Sequence, residues 1–472
     1  MKGFFNTIRK TSIMMKRYIY LLNFFLIFST PGHGQEKKWS LEECIRYAID
    51  NNIQIKQQEL NTQLNENALK QSKMNRIPSL NAGTNYSYSA GRVLDMTTYR
   101  FTNNSINYVG ANVGTNVNLF SGLQTNNTIK QNKYRLMASM AELDRVKNDI
   151  SMNIALAYLQ ILLDKELLEV ARKQLEITEL QIDRTRKLVD AGSVPIGNLL
   201  EIQAQAASEE MQVVNTSNAL DIAYLNLTQI LDLDSVAGFD IVIPEIENPD
   251  SSFVIPSISE VFSDAMNMMP QIKSVEYQLK SSELALKIAK GSRSPRLNLS
   301  GNFNTNFSDN RKKVLGVDPV DGIIYGDYPF WNQMGDNRNW GIGLGLSIPI
   351  FNNWQVEKGV KDAKISIENA KLQFQNERNR LYKEIQQAYA DAGGALKKYM
   401  AARKTVSSME ESFRYTSEKF NVGLVTSVDY NTAKNQLTKA RSDLLGAKYE
   451  FIFKVNVLNF YRGKPFDLNM KF

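Results

Sequence analysis

The sequence predicts a mixed fold in which long α-helical rods carry four membrane-spanning β-strands, and this arrangement is built twice along the chain. Three observations support the prediction. Two very long stretches lack the residues that interrupt helices. Four short runs alternate apolar residues with small or amide residues, and motifs of the first half recur in the second.

The N-terminal segment has the composition of a secretory signal peptide. Residues 15–34 run from a basic start through an apolar stretch to small residues. We therefore expect residues 1–34 to be a cleaved leader, with Met14 or Met15 as the alternative start. An uncleaved anchor helix is the competing interpretation, but an apolar run of about 11 residues is short for a span that needs roughly 20.

Most of the net charge lies in this leader. The 472 residues carry 56 basic and 49 acidic side chains, a net charge of +7. Residues 1–34 hold five of the basic residues, no acidic residue and His33, the only histidine, which leaves the rest of the chain at +2. A nearly neutral chain without histidine and with one cysteine, Cys44, excludes Ser-His-Asp and Cys-His catalysis, histidine-ligated zinc and internal disulfides. We expect no enzymatic activity, no cofactor, no metal site and no nucleic-acid partner, and we expect Cys44 to be a buried apolar residue.

The remaining chain contains the same unit twice. The segment that begins at Ser40 matches the one at Ser257, a shift of 217, whereas Gly192 matches Gly423, a shift of 231. The difference is a 14-residue insertion in the second outer loop, residues 308–339. The sequence therefore predicts two equivalent units.

The matches place the boundaries of both units. Repeat 1 is predicted over 35–245, with a first helix, strands 80–90 and 108–120, a long helix 122–191, a tip 192–198 and a helix 198–231. A proline-rich linker is predicted over 232–257. Repeat 2 is predicted over 257–472, with a first helix, strands 297–307 and 340–350, a long helix 353–422, a tip 423–429 and a helix 429–461.

The long helices are predicted from apolar spacing and from the lack of breaking residues. Between Gly122 and Ala191 there is no proline or further glycine, and apolar residues recur every three or four positions. At 1.5 Å per residue, such a helix is a rod of roughly 100 Å. Gly359, Gly393 and Gly394 are expected to weaken the second rod. Rods of this length are typical of coiled coils.

Each of the four strand runs has one apolar face and one face of asparagine, glycine or serine. Each has about 11 residues, the length of a tilted membrane-spanning strand. A half-buried soluble sheet also alternates, but its water-facing side normally carries lysine or glutamate, and these polar faces are almost uncharged. We therefore predict that the apolar faces meet lipid and that the polar faces line a lumen. The predicted lumen-facing residues are Asn112, Asn116, Asn118, Asn298, Asn302 and Asn304.

Four strands cannot close a barrel, because a bilayer tolerates no unpaired strand edge and the smallest known barrels need about eight strands. Several protomers must therefore pool their strands. A trimer would form a 12-stranded barrel, a permitted even number, although the periodicity alone also allows a dimer.

The order of these motifs resembles TolC-like outer-membrane efflux proteins over nearly the whole chain after the leader. The matching segments are the first helix SLEECIRYAIDNN, the Pro-x-Leu strand starts at Pro78 and Pro295, the strand ends NLFSG and IPIFNN, and the tips LVDAGSVPIGNLLEIQAQ and FNVGLVTSVDYNTAKNQL. The resemblance implies a homotrimer with a 12-stranded barrel in the outer membrane of a Gram-negative cell, surrounded by outer-membrane lipid. It also implies a coiled-coil α-helical tunnel across the periplasm.

As a function, the resemblance implies a passive exit duct for efflux or secretion, which carries small molecules from the periplasm or from a pump to the exterior. Such a duct docks on a periplasmic membrane-fusion adaptor and is energised by an inner-membrane pump of the RND or ABC type. A periplasmic coiled-coil adaptor or structural protein is the alternative, but it would have no need of lipid-facing strands. An enzyme would need convergent acidic groups, and adjacent pairs such as Glu209 and Glu210 do not face each other on a helix. We expect these glutamates to be solvated.

The two tips are the candidate contact sites for the adaptor. Gly192 and Gly423 follow long helices and fit the left-handed conformation of a helix C-cap. The resemblance further implies that the tips touch the adaptor. The candidate contacts are Gly192, Ser193, Val194, Gly423, Leu424 and Val425.

Asp429 is the candidate for the tunnel constriction. The resemblance implies an acidic residue there, and a ring of three carboxylates would favour cations. An aspartate at the start of a helix also stabilises the helix dipole, so both interpretations stand. Family members can carry a second aspartate three residues later, where this chain has Thr432, and Asn198 takes the equivalent position in repeat 1.

The outer loops are predicted at 91–107 and 308–339. The second loop contains an aromatic group, which consists of Tyr325, Tyr328, Phe330 and Trp331. These rings could cover the mouth or bind a partner, or they could pack in the membrane-interface aromatic belt or on each other. The cargo is not specified, because a lining of asparagine, glycine and serine has little chemical selectivity.

Overall fold

A computed structural model describes residues 38–95, 99–249, 253–319 and 322–468. The predicted leader, residues 1–34, lies outside the described residues. In each half of the chain the elements follow the same order of two short helices, two long strands, a long rod and a shorter rod.

The first half contains β1 (Lys38–Trp39), α1 (Leu41–Asn51), α2 (Ile53–Met74), β2 (Ser79–Leu94), β3 (Phe101–Ser121), α3 (Gln124–Asp190), α4 (Ile196–Ile230) and β4 (Asp240–Ile241). The second half contains α5 (Ile258–Met268), α6 (Pro270–Gly291), β5 (Arg296–Ser308), β6 (Lys313–Asp318), β7 (Gly322–Gly326), α7 (Phe330–Asp336), β8 (Asn339–Ser347), α8 (Gln355–Asn421) and α9 (Ser427–Tyr461). The segment β6–β7–α7 has no counterpart in the described part of the first half, and it occupies the predicted insertion.

The rods α3 and α8 each have 67 residues, and α4 and α9 each have 35. At 1.5 Å per residue, α3 and α8 are roughly 100 Å long. Gly359, Gly393 and Gly394 lie inside α8 without ending it. Each long rod turns back into its shorter partner through five residues, so the chain forms two long helical hairpins.

The strand ends differ from the predicted bounds in two ways. The first pair extends beyond 90 and begins before 108, because the antiparallel pairing continues to Leu94 and Phe101. The last strand ends at Ser347 instead of 350, because Pro349 has no N–H to donate to a ladder.

The helix starts also differ from the predictions at 198 and 429. Helix α4 begins at Ile196 and α9 at Ser427, because the preceding residues, Pro195 and Thr426, take the extended conformation of an N-cap. The tips are correspondingly shorter than predicted.

The first helix of each repeat is broken in two. Asn52 leaves the helical conformation, and its side chain accepts hydrogen bonds from the first amides of α2. In repeat 2 the break falls at Met269, because the next residue, Pro270, disfavours a helical residue before it.

The predicted linker 232–257 is partly structured. Strand β4 pairs in parallel with β1, and Asp240 accepts hydrogen bonds from Lys165 (2.7 Å) and Tyr224 (2.6 Å). Burial alone would raise the pKa of Asp240, but the hydrogen bonds from Lys165 and Tyr224 hold it below its usual range. This carboxylate therefore ties the connection to α3 and α4.

The principal core lies where the short helices pack on the middle of α3 and on the C-terminal parts of α4 and α9. Cys44, Ile154 and Leu227 are fully buried there, and Tyr158 donates a hydrogen bond to the Val242 carbonyl. The prediction that Cys44 is buried is confirmed. Burial raises the pKa of its thiol to about 12, with the Glu43 carboxylate acting in the same direction, so this cysteine is unreactive.

No helix of the described residues has both the length and the apolar character needed to cross a membrane.

Candidate functional site

The four long strands form one antiparallel sheet in the order β2-β3-β5-β8. Strand direction alternates across the sheet, and all four strands adjoin the helices at the same end. Within the described residues, β2 and β8 are edge strands with no partner on their outer sides. The sheet is therefore open at both edges.

The register brings the six predicted lumen residues to one face of this sheet. Residues directly opposite each other in antiparallel strands share a face. Asn112 lies opposite Asn304, Asn118 lies opposite Asn298, and Gly114 lies opposite Asn302. Asn116 shares this face because it lies two residues from its neighbours in the set.

Glycines make room for these amides. An added Cβ at Gly83 would lie 3.0 Å from Oδ1 of Asn112, and one at Gly341 would lie 3.1 Å from Oδ1 of Asn302. Asn85 lies over Gly110 in the same way. The amide side chains therefore lie flat across the neighbouring strand, and the alternation of asparagine and glycine is a packing requirement as well as a polar lining.

The opposite face of the sheet is apolar and exposed. Leu80, Trp340 and Ile342 are about three-quarters exposed, at 75%, 74% and 75%. Monomeric soluble proteins rarely expose a continuous apolar face of this size. Such a face fits a hydrocarbon environment.

At the other end of the rods, the helices α3 and α8 both end in the same hydrogen-bond pattern. Gly192 has a φ of +71° and Gly423 a φ of +76°, and the next residues, Ser193 and Leu424, donate their N–H groups back to the last turn, at 2.8 and 2.9 Å. This is the Schellman motif, in which glycine avoids the strain of the left-handed conformation. Gly192, Ser193, Gly423 and Leu424 are exposed, and Val194 and Val425 are half-buried.

Asp429 closes a capping box at the start of α9. Its carboxylate accepts from the N–H (3.1 Å) and the hydroxyl (2.7 Å) of Thr426, and its own N–H donates to that hydroxyl at 3.2 Å. The Thr426 hydroxyl and amide lower the pKa of Asp429, so it is ionised at neutral pH. Asp429 and Thr432 are both exposed, three residues apart on one helix face. Asp429 therefore stabilises the start of α9, which is one of the two interpretations of this residue that the sequence allowed.

A buried ion pair that the sequence analysis missed joins the two hairpins above the tips. Nζ of Lys434 on α9 lies 3.4 Å from the Glu209 carboxylate on α4 and donates to the Thr178 hydroxyl on α3. The side chains of Lys434 and Glu209 are only 3% and 8% exposed. The prediction that Glu209 is solvated is therefore wrong, whereas Glu210 is exposed.

One signal for this pair was present in the sequence. Lys434 lies between Tyr430 and Leu437, at helical spacing on the buried stripe of α9. A lysine in such a stripe needs a buried acceptor. Burial lowers the pKa of Lys434, and the Glu209 carboxylate opposes that shift.

The outer-loop aromatic residues do not form a single cluster. Phe330 packs on Phe307 and Trp331, each at a centroid distance of 5.0 Å. The Tyr328 hydroxyl donates to Asp336. Trp331 is 79% exposed.

In the described residues, no group of three or more potential ligand side chains could hold a metal ion.

Comparisons with known proteins agree with this geometry. The family model for outer membrane efflux proteins matches residues 44–232 and 261–463. The outer membrane protein TolC of Escherichia coli K12 is 21% identical over 393 residues, which cover 81% of this chain and 73% of the relative. The proteases secretion protein PrtF of Dickeya chrysanthemi is 20% identical over 455 residues, 93% of this chain and 90% of the relative. The outer membrane protein VceC of Vibrio cholerae shares the fold, with a TM-score of 0.68 and 16% identity over 90% of this chain and 97% of VceC.

The buried ion pair yields a stability prediction. Lys434→Met leaves the Glu209 carboxylate buried without its ammonium partner, so we expect a loss of about 3–5 kcal/mol in the free energy of unfolding. Lys434→Met with Glu209→Leu removes both charges and should recover part of that loss. The measurement is unfolding of the detergent-solubilised protein followed by circular dichroism.

Glu210→Gln is the matched control, because it neutralises the exposed neighbour of Glu209 and should change stability by no more than about 0.5 kcal/mol. The single variant Glu209→Leu completes the comparison. If the loss in free energy of unfolding of the double variant equals the sum of the losses in Lys434→Met and Glu209→Leu, the two side chains are not coupled and the interpretation is wrong.

Proposed function

Since the chain belongs to the outer membrane efflux protein family, whose members are channels, we propose that three copies of it form an outer-membrane exit duct for efflux or secretion. The observation that carries this proposal is the open four-stranded sheet, which has one apolar face, one amide face and two unpaired edges. The duct itself performs no catalysis.

Three copies solve the problem of the open edges. A bilayer supplies no hydrogen-bond partners for the outer edges of β2 and β8. Because strand direction alternates across the sheet, β8 of one protomer can pair antiparallel with β2 of the next. Three sheets then close a ring of 12 strands, an even number that membrane barrels use.

The two faces of the closed sheet would then have separate roles. The apolar face, with Leu80 and Ile342, would meet outer-membrane lipid. The asparagines would line a water-filled duct that cargo crosses passively. Their amides are neutral and lie flat over glycines, so the lining would present no charge to the cargo.

The helical hairpins would form the periplasmic tunnel. Rods of roughly 100 Å place the tips far from the barrel, where we propose that a periplasmic adaptor binds them. An inner-membrane pump of the RND or ABC type would supply the energy. The name of the relative PrtF refers to protease secretion, which supports a secretory cargo as one of the open alternatives.

The carboxylates of Asp429 would form a ring at the tunnel entrance. Asp429 is exposed near the second tip and ionised at neutral pH, so three copies would attract cations. The ring would lie close to the buried ion pair of Lys434 and Glu209, because Asp429 precedes Lys434 by five residues on α9, about 7.5 Å along the helix.

Planar-bilayer conductance tests the duct and the ring separately. We expect a heat-modifiable trimer from the outer-membrane fraction to conduct, to prefer cations and to be blocked by multivalent cations from the tip side. Asp429→Asn should weaken the block and the preference, and Asp429→Glu should preserve both because the charge remains. A soluble periplasmic species without conductance would contradict the duct. A conducting trimer in which Asp429→Asn changes neither property would contradict only the ring.

Crosslinking tests the role of the tips. Cysteines introduced as Ser193→Cys or Leu424→Cys should crosslink in cells to a periplasmic adaptor, identified by mass spectrometry together with its pump. Background from Cys44 should be low, because that thiol is fully buried. Lys371→Cys is the matched control, since this exposed residue lies on α8 near the strand end. Equal crosslinking from Lys371→Cys would show that the tips are not the contact.

A further inference from the structure

The second outer loop contains a folded insertion, which we define as residues 311–319 and 322–338. It consists of the hairpin β6–β7 and the short helix α7, and it lies between β5 and β8 at the end of the sheet opposite the helices. Strands β6 and β7 pair only with each other in the described residues, and they do not join the four-stranded sheet.

Side chains of α7 and of its C-cap residue bond to β5 beyond Asn304, the point at which β8 begins to pair with it. The buried Gln333 side chain accepts from the Ser308 N–H at 3.0 Å and donates to the Ser308 carbonyl at 2.9 Å. The Asn337 side chain donates to the Asn306 carbonyl at 2.8 Å. Two side-chain amides, one in α7 and one at its C-cap, therefore satisfy the backbone groups that a longer β8 would pair.

As a result, the two edges of the sheet differ in length. Edge strand β2 has 16 residues and edge strand β8 has nine. If the helix-side ends of the two edges are aligned in neighbouring protomers, β8 covers residues 79–87 of the neighbour. Residues 88–94 then remain uncovered over about 24 Å, at 3.4 Å per residue. The insertion directly precedes β8 in the chain, so it adjoins the outer end of β8, where this gap begins.

Both surfaces at the gap carry exposed apolar side chains. On the insertion, Val317 is 73% exposed and Leu315 is 65% exposed. On the hairpin β2–β3, Tyr88 is 61% and Phe101 is 65% exposed. The Arg92 guanidinium lies 5.1 Å from the centre of the Phe101 ring, but these four side chains remain largely exposed within the described residues. Apolar surfaces in water favour association.

The charges favour a second copy over a lipid headgroup as the occupant. Residues 311–338 contain four basic and four acidic side chains, so the segment is neutral. It has no basic excess to bind anionic headgroups, and neutral copies do not repel each other.

We propose that the insertion of one protomer packs on the outer part of the β2–β3 hairpin of the next protomer and clasps the trimer at its outer end. The proposal rests on the trimer of the proposed function. It assigns the insertion to assembly, with the exposed apolar residues of β6 and β7 as the contact surface.

Photo-crosslinking tests the clasp directly. A benzoyl-phenylalanine introduced at Ile324, in trimers that mix tagged and untagged copies, should give inter-protomer products that mass spectrometry maps to residues 86–101 of the other copy. The same substitution at Val254, which is 83% exposed and far from the sheet in sequence, is the control and should give no product at 86–101.

Other products overturn the proposal. Crosslinks only to lipid, to a different protein or within one chain, or no inter-protomer product, exclude the clasp. Unheated gel electrophoresis of the same sample reports the trimer itself, so a trimer without the crosslink contradicts the clasp and leaves the proposed function standing. A sample without any trimer contradicts both.

A deletion gives a second measurement. Replacing residues 313–326 with a short glycine linker should leave trimers that form but dissociate in detergent at a lower temperature than the unaltered trimer. An unchanged dissociation temperature would contradict the clasp.

Discussion

Backbone hydrogen bonding at the edges of the four-stranded sheet constrains the rest of the structure. In water, the outer N–H and C=O groups of β2 and β8 could be solvated, but a bilayer offers them no partner. The apolar face of the sheet requires that bilayer. Both conditions are met if another copy of the sheet covers each edge, which is the assembly that we propose.

The internal repeat makes this assembly regular. Each half of the chain contributes an out-and-back strand pair and a helical hairpin, so three copies would alternate six similar units around one axis. The halves differ at the outer end and at the tip. Among the described residues, only the second half carries a folded outer insertion, and only its tip carries an acidic capping residue, Asp429. The buried pair of Lys434 and Glu209 then fixes the two hairpins against each other.

The sequence predicted the rods and the sheet because each depends on a short-range period. Apolar residues at every second position identified the strands, and the asparagines between them are indeed on one face. The outward extension of the β2–β3 hairpin was missed because residues such as Gly91 and Arg92 break that alternation. The apolar stripe of α9 indicates that Lys434 is buried, but its partner Glu209 lies 225 positions away in the sequence, and no local pattern identifies that partner. The side-chain amides of Gln333 and Asn337 bond to the backbone of β5 in place of a strand, and no periodic pattern in the sequence predicts such bonds.

Hydrogen–deuterium exchange of the protein in lipid bilayers tests most directly whether the sheet edges are covered. Within one sheet, about half of the amides of an edge strand point away from its partner. If protomers pair edge to edge, nearly all amides of β8, Asn339–Ser347, and of the helix-side part of β2 should be as protected as those of β3. If about half of the amides in these two segments exchange rapidly while β3 stays protected, the edges are open and the pooled barrel is wrong.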